Sequence, residues 1–251
     1  MRPEAAIFET LQAFDLHATS YTRWEGHPSA QHWRARVISR CIQHFCPQGR
    51  VLDVGGGTGM DALLLMALGF RVTVLEPSTG MGDIARSRGV VVVNSGAEAL
   101  ETLPIGVFDG VLSNFGALNC VPDLAGFGRG LRMRLPVGGV AVLVVMGPFA
   151  LAEALILAGT GRFRALARRR RAAIVPLGEG RVPVSWWKRR ALCHALAGFR
   201  LIYTEALGAV LPPPDIHDGN ALLRRLDAAV APLPGFRQVG DHTLYVFRRV
   251  S

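Results

Sequence analysis

One stretch of the 251-residue chain limits its fold more than any other: Val51-Leu-Asp-Val-Gly-Gly-Gly-Thr-Gly-Met-Asp61. A short apolar run delivers an acid, Asp53. Three spaced glycines follow (Gly55, Gly57 and Gly59), and a helical stretch opens at Asp61. Glycine is needed where the chain turns through positive φ, or where a ligand must lie against bare backbone. A buried strand that turns in this way into a helix is the first unit of a parallel, doubly wound sheet.

The order of the remaining segments agrees. Strands are expected at Arg71–Leu75, Val90–Val93, Phe108–Ser113 and Val140–Val145, alternating with helices at Asp61–Leu68, Gly80–Arg88 and Leu124–Leu135. Two helices should precede them, Glu4–Asp15 and Ala30–Phe45. The second has Trp33, Val37, Ile38, Cys41 and Ile42 at helical spacing, and Arg34, Arg36 and Arg40 are expected to face away. Phe199–Leu207 and His242–Arg249 read as strands flanking a helix near Ala221–Val230, the last strand antiparallel. The expected architecture is an α/β, Rossmann-like doubly wound sheet of seven mostly parallel strands. It carries N-terminal helices and an insertion between strands five and six. A single domain, 1–251, accounts for this length: a helical segment (1–47), an α/β core (48–147), an insertion (148–198) and C-terminal strands (199–251).

Charge is unevenly placed. Residues 162–200 hold eleven basic groups and one acid, Glu179, whereas the rest of the chain is nearly neutral. Four widely spaced cysteines offer no CxxC pair, so neither a zinc knuckle nor a redox motif is expected, and no metal. The N-terminal segment interleaves acids with its apolar residues and does not read as a secretory leader. The most apolar stretch, Val137–Gly159, is broken at Gly147-Pro148 and reads as a buried strand then a helix, not a membrane span. A cytoplasmic protein is expected.

Glycines alone could cradle a dinucleotide, but Asp53 discriminates. A pyrophosphate would be repelled by a carboxylate at the mouth of its loop, whereas the ammonium and sulfonium of S-adenosylmethionine would be attracted. Glu76 closes the second strand 23 positions later, placed to accept two ribose hydroxyls. With these residues in order, the chain resembles the class I S-adenosylmethionine-dependent methyltransferases, in particular the small-molecule enzymes of ubiquinone and menaquinone type. DVGGGTG is similar to the family's first motif, EPSTGM (Glu76–Met81) to its second and SGAEAL (Ser95–Leu100) to its adenine segment. FDGVLSNFGALNCV (Phe108–Val121) resembles the fourth-strand motif and LPVGGVAVLVV (Leu135–Val145) the fifth strand. Phe14-Asp15 with Tyr21 resembles the N-terminal element that closes over the cofactor. One departure stands out: an acid commonly precedes Ala-Glu in the adenine segment, and here that position is Gly96.

The resemblance implies a cofactor site of Tyr21, Asp53, Gly55, Gly57, Gly59, Glu76, Pro77, Met81, Ala97, Glu98, Asn114 and Phe115. It also implies S-adenosylhomocysteine as product. The fourth strand ends in Ser113-Asn-Phe-Gly116 without the prolines that DNA adenine enzymes place there, which argues against that class. A hydroxyl acceptor needs a base, for which His17, Tyr21 and His194 are the candidates. The insertion, with Trp186, Trp187 and Arg168, would suit a planar or hydrophobic small-molecule acceptor bearing negative charge. Methyl transfer to oxygen, nitrogen or carbon in bacterial secondary metabolism, by a monomer or homodimer, is the expectation. An RNA methyltransferase or RNA-binding module using the arginine run is the alternative, although four consecutive arginines on a helix cannot form one phosphate-tracking stripe, so nucleic acid is not favoured.

Overall fold

The computed structural model describes residues 3–162, 169, 173–177, 180–213 and 220–251. Seven strands form the central sheet: β1 (Arg50–Val54), β2 (Arg71–Leu75), β3 (Val91–Val93), β4 (Gly110–Ser113), β5 (Val140–Met146), β8 (Phe199–Leu207) and β9 (His242–Arg249). Their spatial order is β3-β2-β1-β4-β5-β9-β8. β1 to β5 pair in parallel, and β9 runs antiparallel to both β5 and β8, with Met146 opposite His242. The order reverses between β1 and β4. At such a switch point the carboxyl ends of the strands splay apart and leave a crevice for a ligand.

One face of the sheet is covered by α2 (Pro28–His44), α3 (Met60–Ala67) and α4 (Thr79–Ser87), the other by α5 (Leu124–Arg134) and α7 (Arg189–Ala195). β5 is apolar and buried along nearly its whole length because both its faces are covered. A helix α6 (Leu151–Gly159) follows it, so the apolar stretch 137–159 divides into strand and helix as its glycine and proline dictate. Among the described residues no helix is long and apolar enough to cross a membrane.

Three features differ from the sequence expectation. The first helix, α1 (Pro3–Glu25), runs ten residues past Asp15, continuing through Tyr21 to Glu25. In α2, Arg34 is buried (4% exposed) and Ile42 is exposed, the reverse of the expected faces. The buried stripe of α2 spans Ala30, Trp33, Arg34, Val37 and Cys41 because the helix is covered on a second side as well. Arg34 points at Asp61 of α3 and also donates to the Glu25 carbonyl of α1. Arg36 and Arg40 do lie off that stripe, and they are paired with buried acids, Glu205 and Asp227. Finally, the insertion contains an unexpected antiparallel hairpin, β6 (Ala173–Leu177) and β7 (Gly180–Val184). Each of its strands carries a proline, Pro176 and Pro183, which a two-stranded ribbon tolerates because every strand in it is an edge.

Asn119 ties the residue that follows the hairpin, Ser185, to the end of β5. Asn119, buried after β4, donates to the carbonyls of Met146 (2.8 Å) and Ser185 (2.6 Å) and accepts from the Met146 amide (2.8 Å). Ser185 returns a bond from its amide to the Asn119 carbonyl at 2.8 Å. Asn119→Ala is therefore expected to lower unfolding free energy by about 2 kcal/mol, since an amide and two carbonyls lose their partner in a part-buried setting. Urea denaturation measures this; a change within error would mean that water replaces the amide.

Candidate cofactor site

The site is built on the loop between β1 and α3. Gly55, Gly57 and Gly59 all have positive φ (68°, 55° and 80°), and Gly59 is the N-cap of α3. Gly55 donates to Leu75 at the end of β2 at 2.7 Å, which locks the loop to the neighbouring strand. A Cβ at Gly55 would strike Ala117, and one at Gly56 would come within 2.7 Å of Asp53 Oδ2. These glycines let the chain fold directly over the acid beneath.

Asp53 is 0% exposed, and neither carboxylate oxygen has a hydrogen-bond donor among the described residues. Burial pushes its carboxyl well above the ordinary range; Asp61 and Glu76 push in the same direction, and Arg34 opposes them. Glu76 is buried at the end of β2 and accepts from the amides of Gly57 and Ser78, each at 2.9 Å. Burial raises it to about 7, although those two amides pull the other way. Pro77, partly exposed, follows it. Met81 is buried on α4, its sulfur 3.6 Å from where a Gly57 side chain would begin.

Tyr21 of α1 reaches the same point: its ring edge lies 3.9 Å from a Cβ placed on Gly57. Burial pushes its phenol up, with Arg34 opposing, so the hydroxyl stays neutral. Asp15, two residues after Ala13 on the same helix, accepts from the Ser78 hydroxyl (2.6 Å) and the Gly80 amide (2.9 Å), tying α1 to the start of α4. The Phe14-Asp15…Tyr21 element thus lies over the glycine loop.

At the end of β4, Asn114 donates to Asp61 at 2.9 Å, and its own carbonyl accepts from the Phe115 amide at 2.8 Å. Phe115 and Gly116 both adopt positive φ (48° and 77°). A non-glycine residue there is held by its surroundings at some energetic cost, a pattern that clusters at functional sites. The Phe115 ring packs edge-on to Trp24 (4.9 Å) and His242 (6.3 Å), under the Arg34 guanidinium (4.9 Å). Tyr21, Glu25, Arg34, Gly55 to Gly57, Asp61, Asn114 and Phe115 enclose a cavity of about 20 Å³.

Three of these residues escaped sequence reasoning. Asp61 stood inside the glycine motif and could have been found there. Arg34 and Glu25 are recruited by helix packing across 27 and 33 positions, to Asp61 and Thr58, and left no local signal. Ala97 is buried in a 3-10 turn (Ala97–Ala99) beyond β3. Glu98 is exposed, and its carboxylate folds back over Gly96 so that any side chain at Gly96 would collide with both of its oxygens. The Glu98 carboxylate thus occupies the space that a side chain at position 96 would fill. Glu98→Ala is expected to weaken S-adenosylhomocysteine binding about three- to fivefold, as for an exposed hydrogen bond; calorimetry returning the parental constant would rule Glu98 out of the site.

The candidate acceptor residues are separated. His17 is half-buried on α1, its ring 6.2 Å from that of Tyr21, and Nδ1 lies 2.7 Å from the Ser20 hydroxyl; burial lowers its pKa. His194 is exposed on α7. Trp186 packs with Ala13, Phe14 and Met146 under the hairpin, and Trp187 faces away from them and donates to the Leu118 carbonyl at 2.9 Å. Arg168 lies outside the described residues. Its neighbour Arg169 is no solvated cation: it is 7% exposed, bonded to Glu153 (2.6 Å) and Asp241, and stacked 4.9 Å over Trp186.

Strand order, switch point, glycine loop and the acid closing β2 together define the class I S-adenosylmethionine-dependent methyltransferase fold. Residues 52–143 match the family described as methyltransferase domain, and S-adenosylmethionine is the cofactor of that domain. Among solved structures, the chain is similar to an S-adenosylmethionine-dependent methyltransferase from Thermotoga maritima, at 18% identity and TM-score 0.62, over 95% of this chain and 99% of that one. It is also similar to the Burkholderia thailandensis 1,6-didemethyltoxoflavin-N1-methyltransferase with bound 1,6-didemethyltoxoflavin and S-adenosylhomocysteine. There the identity is 15% and the TM-score 0.62, over 100% of this chain and 92% of that one. Protein-L-isoaspartate O-methyltransferase from Chlorobaculum parvum is 29% identical over 75 residues, 30% of this chain and 34% of that protein. The chain spans about a third to a half of the length of the curated relatives it matches.

Proposed function

We propose that the protein transfers a methyl group from S-adenosylmethionine to an oxygen, nitrogen or carbon of a small, flat, largely apolar molecule. The observation that carries this reading is the pair of buried carboxylates, Asp53 and Glu76, under a loop of bare glycine backbone. Asp53 has no donor among the described residues, and burial holds Glu76 near neutrality. Both fit a ligand that brings positive charge and hydroxyls, and neither fits a pyrophosphate. Glu76 would take the ribose, Ala97 and Glu98 the adenine, and Asn114, Phe115 and Tyr21 the methionine portion. When bound, the sulfonium supplies an electrophilic methyl.

The chain's own residues then have to align an acceptor and exclude water, which is most of what an in-line displacement requires. Tyr21, Trp24, Phe115 and the underside of the hairpin offer apolar, aromatic walls for this. The neutral imidazole of His17 can accept a proton from a hydroxyl acceptor, whereas Tyr21, protonated throughout the physiological range, can only donate and orient. His194 touches none of these groups among the described contacts, so the base role falls to His17. The small-molecule reading is supported by the toxoflavin-type ligand named for the Burkholderia neighbour. The RNA alternative loses ground because Arg169, in the middle of the basic run, is spent on buried acids. A cytoplasmic enzyme of bacterial secondary metabolism, acting as monomer or homodimer, completes the proposal.

Calorimetry with S-adenosylhomocysteine and with NADH tests it. Micromolar binding of the first and none of the second is expected, and Glu76→Ala should weaken the first by about 1–2 kcal/mol. Unchanged affinity in a folded Glu76→Ala protein would remove Glu76 from the site. Tritium transfer from labelled cofactor into a metabolite extract then identifies the acceptor, and incorporation into RNA alone would defeat the small-molecule reading.

A further inference from the structure

A cleft of about 490 Å³ lies away from the glycine loop, on the other face of the sheet. Side chains alternate along β9. His242 and Leu244 point toward α2 and the Phe115 cluster, whereas Thr243 and Tyr245 point into this cleft. The strip Ser185–Trp187 divides the two sides, pinned by Asn119 to Met146, with Trp186 on the α1 side and Trp187 on the cleft side.

The lining has a definite chemistry. Trp187 forms one wall, fixed by its bond to the Leu118 carbonyl. Lys188 (the only lysine of the chain), Arg189 and Arg190 stand at the rim, exposed, and none of the described residues lining the cleft carries a carboxylate. None of the three is ion-paired with an acid among the described residues, although Arg34, Arg36, Arg88 and Arg169 all are. Thr243 and Tyr245 add hydroxyls opposite. Burial pushes the Tyr245 phenol up to about 12, with Thr243 and Arg189 pulling against it, so it is held as a neutral donor.

We infer that this cleft is a binding site for a small planar organic anion, its ring against Trp187 and its acidic group between Lys188, Arg189 and Arg190. The volume lies within the range of small-molecule sites, which typically combine apolar walls with a few convergent polar groups. Guanidinium groups pair with carboxylate or phosphate by charge-assisted bonds, and an indole face stacks on a flat ring. The inference goes beyond methyl transfer and does not rest on it, because it concerns binding at a place separate from the cofactor loop.

The test uses the full chain with 2-naphthoate as probe and 2-naphthamide as its uncharged isostere. Calorimetry should show the carboxylate binding at least tenfold tighter than the amide, and weakening as salt is added. The double variant Arg189→Gln/Arg190→Gln should lose at least tenfold in naphthoate affinity while its affinity for S-adenosylhomocysteine is unchanged, which also reports that it is folded. Lys188→Gln and Trp187→Leu, tested singly, should each weaken naphthoate measurably. Equal affinity for acid and amide, or parental naphthoate binding in the folded double variant, overturns the assignment. So does binding of an oligonucleotide, abolished by the double substitution, in a protein that ignores naphthoate.

Discussion

Replacing Arg169 by methionine is expected to lower the unfolding free energy by about 3–5 kcal/mol, the usual effect of removing one partner from a buried ion pair. Arg169 joins three parts of the chain that are distant in sequence. Its Nε bonds Glu153 of α6, its Nη2 bonds Asp241 ahead of β9, and its Nη1 donates to the Asp241 carbonyl at 3.1 Å. Its plane covers Trp186. Burial alone would raise the Asp241 carboxyl, but His242 and Arg169 together hold it well below its ordinary range. Methionine preserves much of the volume over the indole yet leaves Asp241 with His242 as its remaining side-chain partner among the described residues. Lysine should recover part of the loss, since it restores the charge without the planar fork. Urea denaturation reads the effect directly, and a loss below about 1 kcal/mol would mean that solvent reaches Asp241 and replaces the cation.

A second large effect is expected from pH. Burial sets Glu76 near 7, against an ordinary value of 4.5. Ribose hydroxyls are donors, so they favour the ionised carboxylate. Affinity for S-adenosylhomocysteine should therefore rise with pH up to about 7 and level off above it, by up to about 30-fold between pH 5.5 and 8. Glu76→Gln should flatten the profile as well as lower it; a profile with the same slope in that variant would assign the titration elsewhere. The free protein should show the opposite trend. A folded-state value raised above the unfolded one means that the folded state holds the proton more tightly. The contribution of Glu76 is therefore fully present below about 4.5 and is lost as pH rises through about 7, a change of about 3 kcal/mol. Ligand and free protein thus respond to the same group with opposite signs, which thermal melts with and without S-adenosylhomocysteine can resolve.

Sequence legibility followed the locality of the causes. β2, β8, β9 and the helix Ala221–Val230 (α8) were readable to the residue because each is a self-contained apolar pattern bounded by turn residues. Asp53 and Glu76 were readable because their spacing from the glycines is set by one strand–turn–helix unit. The hairpin was not. Pro176 and Pro183 argue against strands in any reading of a central sheet, and only its packing on α1 shows that it is a separate ribbon. Arg34 shows the same limit from another side: on periodicity it belongs outward with Arg36 and Arg40, and its burial depends on Asp61, 27 residues away. The arginine run was expected as one surface or one ligand contact, yet Arg169 serves the interior because Glu153 and Asp241 converge on it from elements that the local sequence does not reveal.

The length of α1 has a mechanical consequence. Ala13 packs on the hairpin near Val182 and Val184, while Tyr21, eight residues on and about 12 Å along the same axis, overlies Gly57. A continuous helix transmits displacement along its length. Any tilt that widens the narrow space above the glycine loop therefore also shifts the surface on which the hairpin rests, and breaks the Asp15 bonds to Ser78 and Gly80 between the two points. The expected outcome is compulsory order, with S-adenosylmethionine entering first and S-adenosylhomocysteine departing last; product-inhibition patterns check this, and random order would show that α1 couples nothing.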